Sequence, residues 1–400
     1  MKKVFIVFIL MVLTMCLYAF INHTGLVSIA IRNNSLSMAE WEEDINQFQE
    51  EMINRNLALK NSKNKDIWDK EINSYFGKAE QNRSLPSIFI LKQVAGITDS
   101  HTQVINYPDG HEVVYPLVIE KFIDGFFITN VTEENREMLG KKVISLNETP
   151  IEDVYNKMGT YIPVEANNSS RYMDKFKDYV SVRDILLDME ILHSKSAPII
   201  LKAGDKRYQI QQAFKKDVKF IKENPEKNLR NEITLTEDIL YIRCDFCKRQ
   251  PFSKLDLEKI KQKKANKIII DLRENAGGYY HPENTFEKAI KGQLDRKNPP
   301  KLIVLTGRRT FSSAVLYAVA FKRMGAIVIG ESPGTPPNHY GNVRVLKLKN
   351  SKLAISYPTK YFVSEGYAKE SVLVPDILVE MRGADYFQSS DPTMEVALKT

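Results

Sequence analysis

The sequence predicts an α/β protein with a mainly parallel sheet in its C-terminal half, preceded by a mixed α+β segment and a helical N-terminal region. Two patterns carry this reading. After residue 235, short β-branched runs (DILYIR, KIIIDL, KLIVL, AIVIG) alternate with helical stretches, the grammar of parallel strands covered on both faces. Before it, residues 38–98 place apolar residues at helical spacing in WEEDINQFQEEMI, DIWDKEINSYF and SIFILKQVAGI. The chain has 400 residues, 43% of them hydrophobic, which excludes a disordered or disulfide-stapled peptide.

Residues 1–30 stand outside the fold. Lys2 and Lys3 precede an uncharged run from Val4 to Ile21, which as a helix spans about 27 Å, close to a bilayer's hydrocarbon core. The lysines stay on the cytoplasmic side, so the rest of the chain is expected outside the cytoplasm. Ser28 and Ala30 offer a signal-peptidase site, but well beyond the apolar run, which favours a retained anchor over a secreted product. Cys16 follows Met15, where a lipoprotein signal needs a small residue.

Residues 31–105 form the helical region, in which Trp41 and Trp68 fall on apolar faces and are expected to pack the helices together. Residues 106–215 begin with the β-rich runs EVVYPLVIEKF and GFFITNV. LGKKVISLNETPIEDVYNKM then reads strand, turn, helix. An amphipathic helix over residues 171–193 and a strand pair turning at Gly204-Asp205 complete the segment. Residues 216–400 hold the alternating core, with helices from Ser253 through Lys263, from about Pro282, and from Ser312 to Met324. They continue into a hairpin (VRVLKLKN, KLAISYP) and a strand and helix after Pro375.

The 57 Lys+Arg are interspersed with 50 Asp+Glu, so the net charge of +7 is a mild excess rather than the basic stripe that nucleic acid requires. Cys244 and Cys247 have half the ligands of a structural zinc site and end a predicted strand. They read as small core thiols or as a bridge.

Open parallel sheets bind ligands at the carboxyl ends of their strands. After KIIIDL come Arg273-Glu274-Asn275-Ala276-Gly277-Gly278, where two glycines free the backbone to aim amides at a ligand. After KLIVL comes TGRRTFSSA, which puts Ser312 at a helix start. An N-cap is the commonest task there, but the positive end of the helix dipole also favours an oxyanion formed when a serine attacks a carbonyl.

In their order and spacing, DLRENAGG, RRTFSSAVLYA, AIVIGESPG and VPDILVE resemble the tail-specific (C-terminal processing) and tricorn-core family of serine peptidases, over roughly residues 235–398. The resemblance implies a crotonase-like core, Ser312 rather than Ser313 as nucleophile, and an oxyanion hole built from the amides of Ser313 and of Gly277 or Gly278. The lysine base of bacterial members is absent from Ser332–Tyr340. Thr98-Asp99-Ser100-His101-Thr102 instead resembles the tricorn-like branch, which uses a histidine; this makes His101 the expected base, with His339 as its rival. By the same resemblance Glu370, or else Glu365, is the acid that orients the histidine, and Ser100 assists it. LGKKVISLNETPIEDV resembles part of a PDZ domain, although Glu148 stands where that pattern has glycine. The expectation is an extracytoplasmic, membrane-anchored serine endopeptidase acting on proteins or peptides, with no metal or organic cofactor required. The alternative is a catalytically inactive protein that binds peptides or apolar ligands on the same scaffold.

Overall fold

The computed structural model describes residues 36–400 except 64, 76–84, 108–111, 223–227, 237 and 370. Among these residues no helix is long and apolar enough to cross a membrane, and the Val4–Ile21 run lies outside them.

Four helices come first: α1 (Met38–Arg55), α2 (Leu57–Lys60), α3 (Lys65–Tyr75) and α4 (Pro86–Gly96). Helix α1 starts at Ser37, whose hydroxyl accepts from the Glu40 amide while the Glu40 carboxylate accepts from the Ser37 amide. Trp41 and Trp68 are buried, and the Trp68 indole donates to the Gln93 carbonyl at 2.9 Å, so the tryptophans do fasten the helices to one another.

The middle segment holds β1 (Gln103–Val104), β2 (Val113–Val114), the hairpin β3 (Leu117–Phe122) and β4 (Gly125–Val131), β5 (Val143–Leu146), β6 (Thr149–Pro150), α5 (Ile151–Lys157), α6 (Ser169–Tyr179), α7 (Arg183–Asp188), the pair β7 (Ile199–Ala203) and β8 (Lys206–Ile210), and β9 (Ala213–Phe214). The single helix expected over 171–193 is two. Its break carries β-branched Val180 and Val182; Ser181 accepts from the Tyr115 amide at 2.9 Å and Val182 bridges Val114, so strand pairing competes successfully with the helix. EVVYPLVIEKF is likewise two strands, divided at Pro116, which has no amide to donate.

The core sheet runs β10 (Asn231–Leu235), β11 (Ile239–Cys244), β12 (Lys267–Asp271), β13 (Lys301–Thr306), β14 (Ile327–Gly330) and β17 (Ile377–Leu378) in that spatial order. β10 is antiparallel to β11 and every other pair is parallel. Helices α8 (Lys254–Gln262), α9 (Thr285–Leu294) and α10 (Ser313–Arg323) connect the strands, and α11 (Gly383–Phe387) and α12 (Pro392–Lys399) end the chain. Ile268 and Ile270 face a cluster with Phe286, Tyr317 and Phe321, whereas Ile269 faces Ile303, Ile329 and Ala397. Both faces are therefore covered, as the continuous apolar runs require.

A separate sheet pairs β15 (His339–Lys347) with β16 (Ala354–Phe362), and β1 adds to the edge of β16 with Gln103 opposite Ser356. This pairing brings the segment just after α4 to the sheet that leaves the core after β14, so residues more than 230 positions apart in the chain share one site.

Candidate active site

Ser312 immediately precedes α10 with φ +52° and ψ −123°, a conformation that L side chains adopt rarely and at a cost of about 1–3 kcal/mol. Its side chain does not cap the helix, although a serine at this position would usually do so. The turn is held from three sides. The Ser312 amide donates to buried Thr335 Oγ1 at 3.2 Å, the Phe311 amide donates to the Asn275 carbonyl at 2.9 Å, and the Ser313 hydroxyl donates to the Gly278 carbonyl at 2.7 Å.

The Gly277-Gly278 loop meets that turn closely. Both residues have positive φ, +98° and +132°. A Cβ on Gly277 would stand 2.8 Å from Ser312 Cβ, and one on Gly278 would stand 2.2 Å from the Cys247 carbonyl oxygen. The Gly277 amide donates to Asn275 Oδ1 at 2.8 Å, so of the two glycines it is Gly278 whose amide has no partner among the described residues. The Ser313 amide, first in α10, likewise lacks one. Asn275 also ties down the cysteines: its amide donates to the Cys244 carbonyl at 2.7 Å and its oxygen accepts from Cys247 Sγ at 3.3 Å. Both thiols are free and buried, and burial raises the pKa of each.

His101 arrives through the turn that follows α4. The Thr102 hydroxyl donates to Asp99 Oδ2 at 2.6 Å, and the Ser356 hydroxyl donates to the His101 carbonyl at 2.8 Å. The His101 ring stacks on Phe311 at 4.6 Å between centroids, the residue before Ser312, and on His339 at 5.3 Å. The expected base and its rival thus lie in one stack beside the serine turn. Neither His101 nitrogen has a hydrogen-bond partner among the described residues, whereas His339 Nδ1 donates to the Pro336 carbonyl at 2.8 Å and leaves Nε2 as its acceptor. Burial pushes His101 well below the ordinary imidazole pKa, reinforced by His339 and Arg171, and burial lowers His339 to about 4. Both rings are neutral at pH 7.

Glu370 lies outside the described residues. The structure brings two other acids to His101. Asp99 Oδ1 is 4.0 Å from His101 Nδ1, and Glu165 Oε1 accepts from the Ser100 hydroxyl at 2.7 Å. Burial raises the pKa of both, and Glu165 adds to the effect on Asp99. Arg171 lies over the Phe311 ring at 4.1 Å, close enough for its charge to favour the Glu165 carboxylate. Sequence reading singled out Ser100 and His101 but missed Glu165, Arg171 and Thr335. Glu165 lies in VEANNS, which has no periodicity or motif, and only the fold returns it to Ser100.

A cleft of about 400 Å³ flanks the same strand ends and includes Asp271, Arg273, Thr306, Arg308 and Glu331. Its charges answer one another, with Arg308 on Glu331 at 2.6 Å and Arg273 on Asp271 at 2.7 Å, and Ser312 is not part of its lining.

No protein-family model and no curated protein matches the sequence. Solved structures do. Mature CPAF complexed with lactacystin superposes with a TM-score of 0.61 at 12% identity, over 90% of this chain and 98% of that one. The chain has the fold of mature CPAF. Uncomplexed mature CPAF gives 0.59 at 12% identity, over 90% and 96% of the two chains. The tricorn protease gives 0.41 at 12% identity, over 90% of this chain and 36% of that one.

Proposed function

We propose that the protein is a serine endopeptidase of the tail-specific type that cleaves protein or peptide chains outside the cytoplasm while tethered by its N-terminal segment. The observation that carries this reading is the Ser312 turn. A strained, uncapped serine stands between a parallel strand and the helix after it, the kind of turn on which hydrolases expose a nucleophile.

In this reading Ser312 Oγ attacks the scissile carbonyl and its proton passes to His101, which burial keeps neutral and able to accept it. The oxyanion is met by the amides of Gly278 and Ser313 and by the positive end of α10, while the Gly277 amide, spent on Asn275, fixes the loop. His101 returns the proton to the leaving amine, and water then hydrolyses the acyl-serine. Imidazolium formed in a buried site needs an anion. Asp99 and Glu165 are the carboxyls at hand, and Glu370 is the candidate that the family resemblance supplies. No hydrogen bond joins His101 to Ser312 among the described residues, so this reading requires that contact to form with substrate bound, as catalytic contacts commonly do. The resemblance of LGKKVISLNETPIEDV to part of a PDZ domain supports a role for the middle segment in capturing a substrate strand.

The binding-protein reading is favoured by one observation, the unpartnered nitrogens of His101. Incubation with a denatured protein substrate decides between the two. New peptide termini that appear with wild type and not with Ser312→Ala support the peptidase, and binding without cleavage supports the alternative.

A further inference from the structure

Asp99, His101 and Glu165 each offer a ligand atom, and these atoms lie within 4.8 Å of one another. Their bonding is asymmetric. Asp99 uses Oδ2 to accept from Thr102, and Glu165 uses Oε1 to accept from Ser100; the buried Asp99 Oδ1 and Glu165 Oε2 have no hydrogen-bond partner among the described residues. Both His101 nitrogens are also buried and lack a hydrogen-bond partner among the described residues. Three unsatisfied acceptors therefore converge, and buried polar atoms are rarely left in that condition. The hydroxyls that fix the far oxygens resemble the outer hydrogen bonds that orient metal-binding carboxylates.

We infer that Asp99, His101 and Glu165 bind a zinc ion that holds the protein inactive. One imidazole nitrogen and two carboxylate oxygens form a three-ligand set that leaves a fourth position open. Ligand atoms around a tetrahedral zinc stand about 3.4 Å apart, so atoms that now lie within 4.8 Å of one another need to draw together by up to about 1.4 Å as the ion binds. Two carboxylates balance the ion's charge. Arg171 and His339 are the basic side chains nearby. With one nitrogen metallated, the His101 ring carries its single remaining proton on the other and cannot accept the Ser312 proton. The inhibition rests on the proposed peptidase function; the binding of zinc does not.

The test uses the full chain in detergent, stripped with a chelator and titrated with Zn2+ against a chromophoric competitor. The expected result is one Zn2+ per chain, with X-ray absorption showing oxygen and nitrogen neighbours and no sulfur. Affinity should fall at least about tenfold in Asp99→Asn and in Glu165→Gln. Fluorophosphonate labelling of Ser312 should fall over the same range of zinc concentration. No saturable binding by folded wild type, a sulfur-containing shell, or binding retained in Glu165→Gln and lost when Cys244 and Cys247 are replaced would overturn the site. Should either carboxamide variant fail to fold, the absorption spectrum of wild type decides. Zinc bound at these ligands with labelling undiminished overturns the inhibition. Labelling absent even without zinc counts against the peptidase reading and leaves the metal site to be judged on binding.

Discussion

The imidazole rings of His101 and His339 lie face to face, 5.3 Å between centroids and 7° between planes, one from the turn after α4 and the other from the first residue of β15. Each is buried, burial favours the neutral form of each, and each keeps an acceptor nitrogen without a hydrogen-bond partner among the described residues. Two imidazoles therefore lie in one stack beside the turn that carries Ser312.

His101 as base predicts that kcat/KM rises with pH through a midpoint below 6.5, because burial favours the neutral ring. His101→Ala should abolish turnover, and His339→Ala should retain part of it. The reverse pattern would transfer the role to His339.

The same burial makes stability depend on pH. The folded-state pKa of His339 is depressed to about 4, so below the unfolded value near 6.5 the unfolded chain binds the proton first. Its contribution is present above pH 6.5 and is lost as pH falls toward 4, by up to about 3 kcal/mol. Urea titrations across that window should show a shallower decline in His339→Asn than in wild type. Asp99, whose pKa is raised, acts with the opposite sign, so Asp99→Asn should steepen the decline.

Ser312→Gly should raise stability by about 1 kcal/mol while removing activity, since glycine occupies φ +52° without strain. A fall in the unfolding midpoint would mean that contacts of the Ser312 side chain outweigh the strain.

Gly278→Ala should destabilise the protein by more than about 2 kcal/mol, because the new methyl collides with the Cys247 carbonyl at a backbone that also disfavours alanine. Gly292→Ala is the control: it lies exposed in α9 with nothing near a Cβ and should stabilise by about 0.5–1 kcal/mol.

The parallel core was legible because its strands are buried on both faces and so read as continuous β-branched runs, KIIIDL and KLIVL among them. Ser312 and the glycine loop were legible for a related reason: both follow such strands, where parallel sheets place their ligands. The histidine pair was only half legible. Nothing local joins His101 to His339; the antiparallel register of β1 on β16 does so, and long-range register leaves no mark in a two-residue strand. The break of the expected helix at Val180–Val182 was hidden for the same cause, since a bridge to Val114 overrides local periodicity.

An anchored topology predicts that the full-length protein sediments with membranes and that protease added outside spheroplasts digests everything beyond about residue 30. A soluble product beginning at Ile31 would show cleavage after Ala30 instead.

The central claim is that Ser312 is a nucleophile. Reaction of the metal-free full chain with a fluorophosphonate, followed by tryptic mass spectrometry, tests it directly. The account predicts one adduct per chain, on Ser312, absent in Ser312→Ala while that variant's melting temperature stays within a few degrees of wild type. An adduct on Ser313, or none on a chain shown to be folded, would contradict it.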